Sequence, residues 1–335
     1  MSVDTVLNRQ WVLARRPVGL PQPSDFRLVE HALPPLREGE VLIRHTHLGL
    51  APAARLRMGE SRSYREPMAL GDVVYGQGCG IVLESRRPGF AAGDEVVSMS
   101  GGWQEHSVSN GAGLNRIDTA VAPPTVWLGA LGTSGLTAWL GLLNIGRAKA
   151  GETVVVSAAS GGVGSMVGQI ARIKGCRVVG IAGGEAKVRH AVDDLGFDAC
   201  VDYRAADFVQ ALEKACPQGC DIYFENVGAA VRDAVWPLMN VRGRIVVCGL
   251  IAEYNDAQQP GPGWFPILAK RLELRGFIMS DHLEHRPEFV REMGGWYQEG
   301  RIHVREDVSD GIEQTVPAFI GMLQGRNFGK TIVRL

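Results

Sequence analysis

Val154-Val155-Val156-Ser157-Ala158-Ala159-Ser160-Gly161-Gly162-Val163-Gly164-Ser165 decides the reading of this chain. The valines form a strand-like apolar run and the tiny residues after them a loop. Met166, Val167, Ile170 and Ile173 fall near helical spacing, so a helix is expected over 166–173. Strand, glycine-rich turn and helix N-terminus together make a phosphate site. The free N–H groups and positive helix end attract a pyrophosphate, and glycine lets the backbone approach it. The spacing Ala159-x-Gly161-x-x-Gly164 is a dinucleotide fingerprint with alanine in place of its first glycine. With 43 glycines in 335 residues the spacing alone arises by chance, and the flanking strand and helix give it its meaning. Gly161, Gly162, Val163 and Gly164 are therefore expected to cradle a dinucleotide.

Working outward, strands are expected at 153–157, 177–182, 199–202, 221–224, 244–248 and 274–279, with helical patterns between most of them. That alternation implies crossover units and a parallel, doubly wound Rossmann sheet. Residues 1 to about 125 read differently. Short strand candidates such as Val41–Thr46, Gly80–Ser85 and Phe90–Val97 are separated by glycine and proline turns, which suggests a β-rich, barrel-like domain. The apolar, glycine-rich stretch Trp127–Leu143 reads as a helical connection between the two. The tail returns to short strands ending Thr331-Ile332-Val333. The expected organisation is a β-rich substrate domain from 1–125 and 300–335, with a dinucleotide-binding domain over 126–299 inserted into it.

Composition narrows the function class. A hydrophobic content of 45%, a charged content of 21% and a net charge of −1 describe an ordinary globular chain with no strong pull toward nucleic acid or membrane. No apolar run approaches the roughly 18 residues that span a bilayer, and the start Met1-Ser2-Val3-Asp4 lacks a signal pattern. A cytoplasmic location is expected. The scattered cysteines Cys79, Cys176, Cys200, Cys216, Cys220 and Cys248 read as buried free thiols.

The end of the second strand decides which dinucleotide is expected. An acid about 20 residues past the glycines would bind the 2′-hydroxyl of NAD. Here Arg177–Ala182 runs into Gly183-Gly184, the first acid is Glu185, and Lys187 follows. A missing carboxylate and an available cation favour the 2′-phosphate of NADP; the alternative is that Lys187 is a solvated charge opening a surface helix. Glu225-Asn226-Val227-Gly228 and Cys248 to Tyr254 end later strands, where such sheets line their ligand crevice. Asn226 and Tyr254 can donate hydrogen bonds there, or cap a turn and sit on the surface.

With these residues in place, the chain resembles the zinc-independent medium-chain dehydrogenase/reductase superfamily, and within it the prostaglandin reductase/leukotriene B4 12-hydroxydehydrogenase branch. The resemblance rests on ordered pieces: Gly135-Leu136-Thr137-Ala138-Trp139, the glycine stretch with Val167-Gly168-Gln169, Lys187, Leu195-Gly196-Phe197-Asp198, Tyr203, Tyr223 to Gly228, Cys248-Gly249-Leu250-Ile251 with Tyr254-Asn255, and Asn327-Phe328-Gly329-Lys330. It implies a GroES-like first domain and NADPH as cofactor. The reaction implied is reduction of the carbon–carbon double bond of an α,β-unsaturated carbonyl. Lys187 and Tyr203 would hold the 2′-phosphate. Asn226, Cys248, Gly249, Ile251 and Tyr254 would contact the ribose and nicotinamide side, and Phe277, Ile278 and Met279 would run along the nicotinamide. Asn327 and Gly329, on the other domain, would close over the cofactor. Family members pair as homodimers through the sheet edge, for which Leu274 to Met279 is the candidate strand.

The chain departs from the branch where substrate is bound. Ala51-Pro52-Ala53-Ala54-Arg55 stands for Asp-Pro-Tyr-Met-Arg, and Thr133-Ser134 for Met-Pro. His45 and His47, expected on one strand face, lie without the cysteines of a zinc dehydrogenase, as do His31 and His106, so no metal is expected. Tyr254 is the candidate catalytic donor to the carbonyl oxygen or α-carbon, or else a ribose contact. Quinone reduction and a non-catalytic NADP-binding role are the rival readings.

Overall fold

The computed structural model describes residues 6–60, 63–255 and 260–335. In chain order the first strands are β1 (Leu7–Leu13), β2 (Phe26–Ala32), β3 (Val41–Gly49), β4 (Gln77–Ser85), β5 (Glu95–Ser98), β6 (His106–Ser109) and β7 (Leu114–Arg116). Then come β8 (Thr153–Ser157), β9 (Arg177–Ala182), β10 (Ala199–Asp202), β11 (Cys220–Glu225), β12 (Met239–Val247), β13 (Glu273–Gly276), β14 (Glu306–Asp310) and β15 (Lys330–Arg334). The chain divides into two units, one of residues 1–129 and 306–335, the other of residues 130–305.

The 130–305 unit is a six-stranded, all-parallel sheet in the order β10-β9-β8-β11-β12-β13. Strand β8 is central, and Val154, Val155 and Val156 are all fully buried. An unbroken apolar run is what a strand covered on both faces requires. From β8 the chain builds outward through β9 to β10, then returns to add β11, β12 and β13 on the other side. The reversal between β8 and β11 is a topological switch point, the place where such sheets open a crevice for ligand.

The other unit holds a seven-stranded mixed sheet, ordered β14-β15-β3-β4-β5-β7 with β6 also on β3, and the hairpin β1–β2. Its core centres on Trp103, fully buried between Phe26 and Phe319, with ring centroids 5.8 and 4.9 Å away. No helix among the described residues is long and apolar enough to cross a membrane.

Several boundaries move from the sequence reading. The helix after the glycine loop begins at Gly164, two residues before its first apolar contact. The connection expected over Trp127–Leu143 is broken: a helix Pro124–Leu128 stops at Gly129, a second runs Thr133–Trp139, and a wide turn follows over Leu140–Ile145. Strand β13 ends at Gly276, so Phe277, Ile278 and Met279 are not strand residues, and Met279 opens a short 3-10 segment to His285. On β3, His45 pairs with Gly80 and His47 with Cys79, which leaves Thr46 as a bulge. The bulge breaks the two-residue alternation that would put both histidines on one face. His45 is buried against Ser107, its Nε2 2.8 Å from Oγ, and burial lowers its pKa to about 4. His47 is half-buried, its Nδ1 3.1 Å from Thr46 Oγ1.

Candidate functional site

The loop after β8 shows why its residues are small. A Cβ at Gly164 would lie 2.2 Å from the Ala158 carbonyl oxygen, so only glycine lets the helix start this close to the strand end. Ala159, where the first glycine would stand, is fully buried and donates its N–H to Ile181 O at 2.9 Å. The tight turn is taken one residue earlier, by Ala158 at φ +52°. The alanine for glycine exchange is therefore met by backbone strain at its neighbour. Gly161, Gly162 and Val163 are half-exposed at the N-terminus of the ten-residue helix Gly164–Ile173.

Beside this loop the ends of β11 and β12 are tied to β8 by one buried residue, Glu225, which is 2% exposed. Its Oε1 accepts from Ser157 Oγ (3.1 Å), Val227 N (2.7 Å) and Gly228 N (3.0 Å). Its backbone carbonyl accepts from Cys248 N (2.9 Å) and Gly249 N (3.1 Å). Asn226 completes the knot: Nδ2 donates to Ser157 O and its own N–H to Ser157 Oγ, both at 2.8 Å. Ile251 N returns to Asn226 O at 3.2 Å. Burial raises the Glu225 pKa, and the N–H groups of Val227 and Gly228 oppose the rise. The nearby Cys248 thiol is pushed up to about 12 by burial and then by the Glu225 carboxylate, which keeps it a poor nucleophile.

Tyr254 closes the loop after β12. Its hydroxyl accepts from Leu250 N at 3.3 Å and lies against Gly249. Asn226, Cys248, Gly249, Ile251 and Tyr254 are thus brought together at the carboxyl end of the sheet, on the switch-point side of β8.

One strand to the other side lies a cationic corner. Lys187 sits in the first turn of the helix Glu185–Asp193, half-buried, just past the end of β9. Tyr203 and Arg204 follow the end of β10 directly. A Cβ on Gly183 would fall 2.7 Å from the Tyr203 ring and 2.9 Å from Arg204 Nε, so the glycine leaves a cradle that these two side chains enter. The Arg204 guanidinium stands 5.5 Å from the Tyr203 ring centre. Arg204 was not selected from the sequence. Its signal was there to use: a cation next to the tyrosine at a strand end, opposite a glycine.

The remaining candidates lie apart. Phe277, Ile278 and Met279 follow the edge strand β13. Asn327 and Gly329 belong to the other unit, where Asn327 Nδ2 donates to Gly329 O at 2.9 Å and Phe328 N to Asp307 Oδ2 at 3.0 Å. Immediately after them Lys330, 6% exposed, donates from Nζ to Leu50 O at 2.7 Å; burial lowers its pKa to about 8. Leu50 directly precedes Ala51-Pro52-Ala53-Ala54-Arg55, the segment that departs from the expected pattern. All six cysteines are free thiols.

The architecture defines a two-unit dehydrogenase with a dinucleotide-type turn at its switch point. Family comparison agrees: residues 9–117 match the N-terminal domain of oxidoreductases and residues 162–294 the domain described as zinc-binding dehydrogenase. Over 335 aligned residues the chain is 49% identical to NADPH-dependent curcumin reductase of Escherichia coli, covering 98% of this chain and 97% of that one. It is 41% identical to bovine prostaglandin reductase 1, covering 97% and 98%. A crystal structure of CurA with NADPH from Vibrio vulnificus superimposes with a TM-score of 0.92 at 45% identity, covering 97% and 98%. The chain belongs to the medium-chain dehydrogenase/reductase superfamily, in the branch that contains the curcumin and prostaglandin reductases.

Proposed function

We propose that this protein is an NADPH-dependent reductase of the carbon–carbon double bond of α,β-unsaturated carbonyl compounds. The observation that carries the reading is the glycine turn at the switch point flanked by Lys187 and Arg204, in a chain 49% identical to an NADPH-dependent curcumin reductase. Unit 130–305 holds the dinucleotide and the β-rich unit shapes the substrate pocket.

The residues fit such a cofactor in their donor chemistry. The turn presents backbone N–H groups at a helix start. The cradle at Gly183 supports the reading, since Tyr203 and Arg204 offer a phenol and a guanidinium to a 2′-phosphate, with Lys187 as a second cation. Asn226, Cys248, Gly249, Ile251 and Tyr254 hold the ribose and nicotinamide side, with Phe277, Ile278 and Met279 alongside. Asn327 and Gly329 of the β-rich unit are assigned to the cofactor as well. When bound, NADPH supplies the hydride that adds to the substrate's β-carbon. Negative charge then develops on the substrate carbonyl oxygen, and a placed donor lowers that barrier. Tyr254 is the residue assigned to it. A phenol hydroxyl accepts and donates at once, so its bond from Leu250 N is compatible with donation to substrate.

The same reading includes a homodimer formed through the β13 edge. Trp264, Phe265 and Leu268 are 85%, 76% and 74% exposed on the segment leading into that strand, an apolar surface that a monomer leaves in water. A cytosolic location also belongs to the reading, supported by six free thiols.

The test is NADPH oxidation with enones and with quinones of matched size. Enone turnover well above quinone turnover is expected. Exclusive quinone turnover, or tight NADPH binding with no turnover of any acceptor, overturns the reading. Leu268→Glu, followed by light scattering, is expected to shift the dimer toward monomer.

A further inference from the structure

Outside the nucleotide loops, one group of three metal-ligating side chains draws together among the described residues: His282, Glu284 and His285. They lie on the segment Met279–His285, after the residues assigned to the nicotinamide. One donor atom from each falls within 4.8 Å of the others. His282 Nδ1 is 3.9 Å and His285 Nε2 3.8 Å from the same oxygen, Glu284 Oε1. Donors 2.0–2.1 Å from a tetrahedral ion stand about 3.4 Å apart. The two histidine–glutamate separations are thus a few tenths of an ångström from closure. Small torsions about the soft terminal bonds of imidazole and carboxylate supply the rest.

Three further observations bear on the arrangement. The backbone leaves helical geometry at one residue of the segment, His282 (φ −133°, ψ 30°), so the two histidines sit on successive short turns rather than on one regular helix. Their ring centres are 6.4 Å apart. The other ring nitrogen of His285, Nδ1, faces Glu288 Oε2 at 4.0 Å. A carboxylate behind a histidine ligand fixes its tautomer and raises its basicity, the usual outer shell of a bound metal. Finally, His285 rests against Trp139, with ring centres 6.1 Å apart. Trp139 in turn donates Nε1 to Glu292 Oε2 at 2.5 Å, so the cluster has a firm backing. Both imidazoles keep about a third of their surface in water, which leaves room for a solvent ligand.

We propose that His282, Glu284 and His285 form a binding site for one zinc-class divalent cation, with water as the fourth ligand and Glu288 behind His285. Two imidazoles and one carboxylate select zinc, nickel or copper over magnesium or calcium, which demand oxygen shells. The cation's place is on the short segment that joins the sheet edge to the helix Arg286–Gln298. Its binding fixes that segment and raises the melting temperature by mass action. Asn144 Nδ2, 3.5 Å from His285 Nε2, is a weak contact that the ion displaces. No step of the reduction passes through this site.

The test is calorimetric titration of tag-free protein with zinc, with no substrate or NADPH present. One zinc per chain with micromolar affinity is expected, unaffected by millimolar magnesium. His282→Gln and His285→Gln are each expected to weaken binding by at least about tenfold and Glu288→Gln by about tenfold. Circular dichroism checks that each variant stays folded. Cobalt loading supplies a second readout: visible bands without thiolate charge transfer are expected. Affinity unchanged in the His282→Gln/His285→Gln double variant, thiolate bands from the cysteines, or no saturable zinc binding in the wild type each overturn the proposal.

Discussion

Glu225 and Lys330 are buried ionisable side chains, one in each unit, and their surroundings differ. Glu225, at the end of β11, is surrounded by donors: a serine hydroxyl and two backbone N–H groups meet one of its oxygens. Lys330, at the start of β15, has one described acceptor, the Leu50 carbonyl, and burial alone lowers its pKa. The carboxylate joins the end of β8 to the turn after β11, and the backbone carbonyl of the same residue holds the start of the loop after β12. The lysine pins a single turn. The nucleotide side is therefore built as a network, whereas in the β-rich unit the Leu50 carbonyl is met by one buried ammonium with a large desolvation cost.

The largest effect is expected from Glu225→Ala. Removing the acceptor strands the N–H groups of Val227 and Gly228, a loss of about 3 kcal/mol. It also loosens the Ser157 hydroxyl that accepts from Asn226 N, so kcat/KM falls by about 100-fold. Urea unfolding and NADPH titration read the two effects. A stable variant with ordinary NADPH affinity would mean the loops are held elsewhere.

Lys330 is tested through pH. Its pKa in the folded chain is about 8 against 10.5 for an ordinary lysine. The unfolded chain therefore binds more protons between these values, and stability rises as pH climbs from 8 to 10.5. The rise amounts to about 3 kcal/mol. Lys330→Met is expected to lose it, so the measured quantity is the difference between the two unfolding curves. Glu225 has the opposite sign: its pKa is raised above 4.5, the folded chain binds more protons above that pH, and stability falls as pH rises through the raised value. Glu225→Gln is expected to remove that slope while keeping one acceptor oxygen. Parallel slopes for wild type and variant would remove the contrast.

Smaller effects belong to the exposed corner. Tyr203 is 41% exposed, with the Arg204 guanidinium 5.5 Å from its ring centre. Lys187→Ala and Arg204→Ala are each expected to lower the NADPH-over-NADH preference by about tenfold, about 1.4 kcal/mol, with little change in stability. An unchanged ratio of the two kcat/KM values for Arg204→Ala would exclude it from the phosphate corner. A change of the same size is expected from Tyr254→Phe: about tenfold in kcat with enone, with NADPH affinity nearly kept. Full kcat in that variant would end its assignment as the donor.

Much of this was legible in the linear sequence. The valine run, the spacing to Gly164 and the strand–helix alternation report local periodicity, which survives folding because it is what packs the sheet. The proposed NADP preference was legible too, from Gly183-Gly184 where an acid would stand and from Lys187. Arg204 was not, because only folding places the end of β10 against Gly183. Glu225 was quoted as part of a strand end and given no role. A single acid there looks like any polar turn residue until its three donors are brought to it. The bulge at Thr46 escaped for the same reason, since alternation along one strand says nothing of register against the next. In sequence His45, His47, His31 and His106 have no cysteine partners, and the closeness of His282 and His285 depends on a backbone kink.

By itself the sequence determined the doubly wound sheet, the glycine turn and the cofactor chemistry, because these follow from short-range patterns of size, polarity and backbone freedom. Only the tertiary structure decided that Ser157, Glu225 and Asn226 form one knot, that Tyr203 and Arg204 meet Gly183, that β13 stops at Gly276, and that Lys330 holds Leu50. Each of these joins residues distant in the chain or fixes a strand's partner, and hydrogen bonds of that kind are set by strand order and register, which no local pattern encodes.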